Sequence, residues 1–519
     1  MIASIIMASD AQVLVVGAGP TGLTAASELT RHGVRVRIVE QNTSPSIHSK
    51  ALVVQPRTLE VFHAMGIADE AMAAAQPVFH LQVHMDGKSL PPIRFGEVDG
   101  PYPRPMMLRQ SQTERILGAQ LERQGVSIEW GNGLVDFAVD EHGVEATLAD
   151  GERLRVACMI GCDGAHSLVR KQLGVPFEGS TYENDFRQVD CKVRWDYPED
   201  AGQGFFTDDG ALVCLPLGGH SFRFILIRRE RPADPPDEPT LAEFQAALEA
   251  VVPGEVELFD PEWIIRFRLH ERLAAQLRVG RVFLAGDAAH IHTPAGGQGM
   301  NIGIQDAHNL AWKLALVLRG RGGERLLDSY HAERHPIAAA VLRFTDLTFR
   351  TGLGAGSVIR WLRPILLPIL LGSRLLQSKA TRTIAQLELE VRKSPIVEER
   401  RLLAIGPHAG DRAPDALFEG DGQSLRMFDV MRGTEHVLFA HRAHTDVLTR
   451  LRRELDPGLV RIVIADEGEQ LEDRYRLGGS SAIWVVRPDG YLGFRQSGDD
   501  PEPVLAWFTK VFETAYETA

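Results

Sequence analysis

Three glycines, Gly17, Gly19 and Gly22, take the GxGxxG spacing between an apolar run, "VLVV", and a helical pattern. That spacing serves phosphate chemistry. The first glycine makes a tight turn, the second lets the backbone approach a pyrophosphate at a helix N-terminus, and the third lets helix and strand pack closely. Glu40 closes the next strand pattern, where an acid can take ribose hydroxyls. Strand, turn, helix, strand and acid together predict a dinucleotide site. They do not separate NAD from FAD.

A second stretch separates them. In "RVFLAGDAAHIHTPAGGQGMN" a strand pattern delivers Asp287 into a turn, followed by Pro294 and a burst of glycines. The helical pattern from Asn301 to Leu318 points its positive end back at that loop. A reduced flavin carries negative charge near N1 and O2, which a helix end favours by ~0.3–2 kcal/mol. A carboxylate for a ribityl chain and bare backbone for an isoalloxazine ring suit FAD. A dehydrogenase using only NAD has little need of the second loop.

With these residues in view, the chain resembles the single-component (class A) flavoprotein aromatic hydroxylases of the p-hydroxybenzoate hydroxylase fold. "GAGPTGL", "GCDGAHSLVR" and "GDAAHIHTPAGGQGMNIGIQDAHNLAWKL" match in order over about the first 345 residues. The resemblance implies that Glu40 binds the adenosine ribose, Gln110 contacts the flavin side, and Asp163 and Gly164 lie near the pyrophosphate and assist the nicotinamide cofactor. It implies that Asp287 holds the ribityl chain, while Pro294 and the backbone of Gly297, Gln298, Gly299, Met300 and Asn301 flank the ring where oxygen adds. It further implies transient NAD(P)H and O2 as co-substrates, with a flavin C4a-hydroperoxide transferring OH to the aromatic ring. The pattern departs at Lys50, where the family usually carries an arginine, leaving Arg57 available; His335 also stands where an arginine is common.

The elements that must position these groups read as an α/β fold. Residues 1–180 and 276–400 are expected to form a discontinuous FAD-binding, Rossmann-like domain. Residues 181–275, with 80–105, carry alternating patterns of an inserted antiparallel sheet for the substrate. Residues 401–519 follow the strand and helix order of a thioredoxin-like domain, resembling the tail of phenol and polyketide hydroxylases. That segment has no cysteine, so thiol redox chemistry is excluded there; docking, homodimer formation or plain stability remain.

Composition excludes other classes. A net charge of −13 argues against nucleic acid and anionic membranes as partners. The start lacks a basic n-region and reads as no secretion signal. "WLRPILLPILLGSRLL", residues 361–376, is broken by prolines and arginines and reads as a buried connection or lid rather than a span. Four cysteines without a CxxC fit buried small side chains and a reducing cytoplasm. His290 with His292, and His331 with His335, lack the pattern of a metal site, so no metal is expected. Asp208 and Asp209 read as a hairpin turn. Arg223 is read either as a catalytic group facing flavin or substrate from the inserted sheet, or as a salt-bridged arginine.

The expected function is an FAD-dependent, NAD(P)H-consuming monooxygenase hydroxylating a phenolic small molecule. Baeyer–Villiger or epoxidising chemistry on the same scaffold, a flavin reductase without oxygen transfer, and a flavin-loaded binding protein are the rivals. Ring number in the substrate and NADH versus NADPH stay open at this point.

Overall fold

The computed structural model describes residues 11–47, 49–96, 98–229, 238–293, 296–352, 371–401, 405–420 and 422–512. The expectations for Pro294 and for most of the 361–376 stretch lie outside the described residues.

Val13–Val16 is the centre of a six-stranded sheet, paired in parallel with Val36–Glu40 on one side and Cys158–Gly161 on the other. All four residues of the central strand are buried. Helix Pro20–Arg31 packs against this sheet, and a separate three-stranded sheet, whose Gly143–Leu148 strand buries Val144, Ala146 and Leu148, joins the same core, so an unbroken run of β-branched and apolar residues is the stable choice. Val282–Leu284 extends the sheet beside Cys158–Gly161. The distant segment carrying Asp287 therefore leaves the same sheet edge as the glycine turn. Pro20–Arg31 forms the helix after that turn, with Pro20 at its first position, where its fixed φ and missing N–H are harmless.

An eight-stranded sheet stands over this domain. Its centre is Asp185–Arg194, Ser221–Arg228, Gly210–Gly218 and Ala201–Phe206, all antiparallel neighbours. It is not wholly antiparallel as expected: His80–Met85 joins Ala201–Phe206 in parallel. That strand arrives from a remote part of the chain, so no hairpin dictates its direction. Asp208 and Asp209 lie in the tight connection between Ala201–Phe206 and Gly210–Gly218. Helix Leu241–Glu249 buries Phe244 and Leu248 against one face, with Leu212, Cys214, Phe222 and Phe224.

The C-terminal residues form a five-stranded sheet in the order Glu398–Arg400, Leu492–Ser497, Ala482–Val486, His436–His441, Val460–Ile464. The last two strands are parallel, and the pair before them forms an antiparallel hairpin. Pro501–Phe512 packs Trp507 and Phe508 on this sheet. The same apolar cluster takes in Trp312 and Leu316 of helix Gly299–Leu318, which carries the flavin-loop motif at its other end. No helix among the described residues is long and apolar enough to cross a membrane.

Candidate functional site

The glycine turn is built as its spacing demands. Gly17 has φ +103°, and a Cβ there would lie 2.4 Å from the Cys162 carbonyl oxygen. A Cβ on Gly22 would lie 1.9 Å from the Gly17 carbonyl oxygen. Gly19 is different: its φ of −73° is open to any residue, and nothing stands within 4 Å of its Cβ position. The protein itself gives no reason for that glycine. A ligand pressed against the turn does.

Glu40 reaches back to the turn and accepts from the Ala18 N–H at 2.8 Å, while its second oxygen accepts from the Asn42 backbone N–H and side-chain amide at 2.9 and 2.7 Å. Asp163 lies against Gly17, accepts from the Val169 N–H at 3.1 Å, and keeps its other oxygen buried with no partner. Gly164, with φ +76°, makes the turn beside it. Gln110 opens a helix; its amide accepts from the Ala51 N–H at 3.0 Å and donates to Glu114 at 2.8 Å.

Asp287 projects from a short 3-10 turn, Gly286–Ala288, and is exposed although protein surrounds it on most sides. That enclosure raises its carboxyl above the usual carboxylate range, with His290 and Lys50 pulling the other way. The turn docks on the first helix: Cβ atoms on Gly286 and Gly303 would lie 2.5 and 2.4 Å from Thr21 Oγ1. Thr21 and Gly303, which no motif reading singled out, thus join the two glycine-rich segments.

The flavin-loop backbone is held by side-chain amides. Gln55 donates to the Gly296 carbonyl at 2.8 Å, and its own N–H is accepted by Asn301 Oδ1 at 2.8 Å. Asn301 Nδ2 donates to the carbonyls of Val53 and Gly297 at 2.8 and 2.7 Å. Gln298 donates to Gly296 and Ile384 at 2.8 and 3.1 Å, and Gln386 donates to Gln298. Gly297, at φ +62°, passes so close to Val53 that a Cβ would lie 2.6 Å from it. Gly299 and Met300 begin the helix, leaving first-turn N–H groups toward the loop. Neutral amides hold this backbone in place without adding charge to the ring's surroundings.

Behind the loop runs a buried relay. Burial alone would raise Asp306, but Arg334 and His290 bring it below the usual range. His290 Nε2 donates to Asp306 at 2.7 Å, and its Nδ1 pairs with His292 Nε2 at 3.0 Å. Burial holds His292 well below the usual histidine range, and neutral. Arg334 Nε meets Asp306 at 2.7 Å, so the cation here comes from the residue before His335. His335 instead lies tilted against His331, ring centroids 4.8 Å apart. Among the described residues no group of three or more metal-ligating side chains gathers.

Two arginines are not where an open site would want them. Arg57, expected to remain available to the flavin, is committed to Glu60 and to the Asp489 carbonyl, each at 2.7 Å, and lies over Tyr491. Arg223 is buried and bidentate to Asp190 at 2.8 and 2.7 Å. Its other N–H groups reach the carbonyls of Lys50 and Ser49 at 3.0 and 2.6 Å. The salt-bridged alternative is the one observed, and Arg223 ties the inserted sheet to the segment bearing Lys50. Lys50 itself is exposed; burial raises the carboxyls of both Asp287 and Glu114, and the Lys50 charge opposes that rise in part. Lys50→Met is expected to weaken FAD binding several-fold, less than about 1 kcal/mol, with the loss shrinking as salt rises. FAD titrations at low and high salt check this; a salt-independent hundredfold loss would mean direct gripping.

The sheet face toward the flavin loop is a roof. Val213, Leu215, Ile225 and Phe206 on interior strands of the eight-stranded sheet, with Ile265 and Phe267 on its edge strand, are only half-buried there, whereas Leu212, Cys214, Phe222 and Phe224 on the other face are buried. Half-buried apolar side chains at the centre of a sheet mean that this face looks onto a cleft. A cavity of about 1480 Å³ lined by Trp195, Tyr197, Phe222 and Phe259 opens elsewhere on the sheet, and no motif residue lines it. Its size does not make it the reaction site.

The comparisons with known proteins agree with this geometry. Residues 10–345 match the family model described as FAD binding domain. The chain is 35% identical to 6-methylpretetramide 4-monooxygenase of Streptomyces rimosus, over 93% of this chain and 90% of that one. It is 33% identical to pentachlorophenol 4-monooxygenase of Sphingobium chlorophenolicum, over 95% of each. Among solved structures, the anhydrotetracycline hydroxylase OxyS of Streptomyces rimosus superposes with a TM-score of 0.81 at 29% identity, covering 97% of this chain and 99% of that one. The glycine turn, the Asp287 loop and this likeness along nearly the whole chain place the protein in the family of FAD-dependent aromatic monooxygenases.

Proposed function

We propose that the chain hydroxylates a fused-ring phenol, bound flat between the flavin loop and the inserted sheet. The observation that carries this reading is the breadth of the roof. Its half-buried apolar side chains reach across five adjacent strands, from Ile265 at the edge to Ile225, Val213 and Phe206, with the second strand contributing Gln188 instead. Burying so wide a face needs an extended planar partner, because the drive scales with apolar area removed from water, at ~25 cal/mol per Å². The names of two relatives, 6-methylpretetramide 4-monooxygenase and anhydrotetracycline monooxygenase, support the same class.

FAD reduced by NAD(P)H supplies the two electrons with which O2 is split into one ring hydroxyl and one water. The chain's own residues bind and orient. Gly19 admits the pyrophosphate to the turn, Glu40 and Asp287 accept from sugar hydroxyls, and the amides of Gln55, Gln298 and Asn301 hold the loop backbone. The apolar roof excludes water from the reacting ring, which suppresses wasteful release of peroxide. Arg223 and Asp190 fix the segment beside Lys50. We read the cysteine-free C-terminal sheet as thioredoxin-like from its strand order and assign it a structural role.

The test is NADH and NADPH oxidation by the FAD-loaded protein with phenol, pentachlorophenol and anhydrotetracycline, with peroxide and product quantified together. Anhydrotetracycline is expected to stimulate oxidation most and to yield product with little peroxide. Coupled turnover of the single-ring phenols alone would overturn the fused-ring reading.

A further inference from the structure

Besides the Arg223–Asp190 ion pair, one neutral polar side chain interrupts the apolar roof. Gln188 lies on strand Asp185–Arg194, opposite Ile225 on one neighbour and Ile265 on the other. Alternation along the strand puts Phe186, Gln188 and Asp190 on one face. Asp190 meets Arg223, whose other contacts are the carbonyls of Ser49 and Lys50, so this is the face toward the flavin domain. Phe186 packs at the other end with Phe267 and Phe349. Gln188 therefore sits mid-roof, between an ion pair and an aromatic cluster.

Gln188 is 5% exposed, and its Nε2 is buried without a hydrogen-bond partner. An amide donor in that state is costly, and native proteins rarely keep one without use. Nothing in strand geometry calls for it: a leucine would complete the row of Ile265, Ile225 and Val213. In the described part of the flavin loop, the carbonyls of Gly296 and Gly297 already accept from Gln55, Gln298 and Asn301.

We propose that Gln188 is a specificity-determining residue, donating from Nε2 to a carbonyl or phenolate oxygen on the substrate's ring. The proposal rests on reading this face as the substrate's roof. A neutral amide gives this selection without depending on pH. It also selects more sharply than apolar contact, because a ring lacking the oxygen leaves the donor unpaired in a dry site. The nearby Asp190 carboxylate adds no competing attraction, since Arg223 occupies both of its oxygens.

The experiment measures binding rather than turnover. 1-Hydroxypyrene and pyrene are titrated into the FAD-loaded protein and followed by their own fluorescence; they differ by one ring oxygen. The wild type is expected to prefer 1-hydroxypyrene on the order of ten- to a hundredfold. Gln188→Met, similar in length and without a donor, should bring the two affinities within about threefold while pyrene binds as well as before or better. Flavin absorbance reports whether the variant keeps its cofactor. If Gln188→Met does not hold FAD, Gln188→Glu decides, since it keeps the shape and turns the donor into an acceptor. A variant that holds FAD and keeps the wild-type preference overturns the role of Gln188. Failure of the wild type to bind either compound overturns the fused-ring roof itself, and the proposal with it.

Discussion

Glu333→Ala is expected to destabilise the protein by roughly 3–5 kcal/mol, because it leaves the buried Lys313 without its carboxylate and Arg487 with only Asp489. Glu333 accepts from Arg487 Nη1 and Nη2 at 2.8 Å and from Lys313 at 2.8 Å, and all three side chains are wholly buried. Asn309 bridges Glu333 to Asp489 at 2.7 Å each, and Asp489 pairs with Arg487. Burial alone would raise the Glu333 carboxyl, but Arg487 and Lys313 hold it well below the usual carboxylate range. A carboxyl whose folded pKa is depressed contributes its full stability above its unfolded value of 4.5 and loses it as pH falls toward the folded one. The variant should thus lag the wild type most at neutral pH, and the gap should narrow in acid. Thermal unfolding midpoints from pH 7 down to pH 3 test both parts. An unchanged midpoint at neutral pH would contradict the account of the junction. Replacing Glu333, Lys313, Arg487 and Asp489 together by apolar residues of similar size, which leaves no buried charge unpaired, should cost far less per charge removed than the single change.

That junction matters to the cofactor because it grips the elements that shape the cleft. Lys313 and Asn309 lie on helix Gly299–Leu318, and Glu333 lies on helix Glu324–Gly352. Arg412 reaches Glu60 and Asp99 from the C-terminal side, and Arg57 caps the Asp489 carbonyl. The C-terminal domain, which has no thiol to react, is keyed into the flavin domain by charge.

The second large effect separates two glycines three residues apart. Gly19→Ala is expected to leave the midpoint of the cofactor-free protein unchanged and to weaken FAD binding on the order of a hundredfold, about 2.7 kcal/mol. Its φ is ordinary and its Cβ would meet no protein atom within 4 Å, so only the bound pyrophosphate can object. Gly22→Ala should damage both, since its Cβ would lie 1.9 Å from the Gly17 carbonyl oxygen. Calorimetry of FAD binding beside melts of the cofactor-free proteins reads the contrast. A Gly19→Ala variant that binds FAD as the wild type does would show that the ligand does not approach this turn.

The parts of the site legible in the sequence are those whose logic is local. Gly17, Gly19, Gly22 and Glu40 sit within one strand–helix–strand unit, and Asp287 through Asn301 within one turn and helix start. Spacing alone states what backbone they need. Partners drawn from afar were not legible. Arg57 looks free in sequence because the carbonyl it serves is 432 residues away. Arg223 could not be told from a flavin-facing cation until register set it opposite Asp190. Gln188 sits in "DFRQVDCKV" as an unremarkable strand residue, and only the sheet shows that the residues opposite it on both neighbouring strands are apolar. Gln55 and Gln386 likewise carry no motif, and Thr21 is only a spacer within one; they act because the fold brings them to a loop encoded elsewhere. The parallel placement of His80–Met85 was hidden for the same reason.

The most direct measurement of the central claim is isotopic. The FAD-loaded protein is supplied with NADPH or NADH, a fused-ring phenol that stimulates oxidation, and 18O2 in ordinary water, and the product is weighed by mass spectrometry. The account predicts one 18O atom in each new hydroxyl group and none when the label is in water instead. Ligand-stimulated oxidation that returns every electron pair as hydrogen peroxide, with no labelled product, would contradict it.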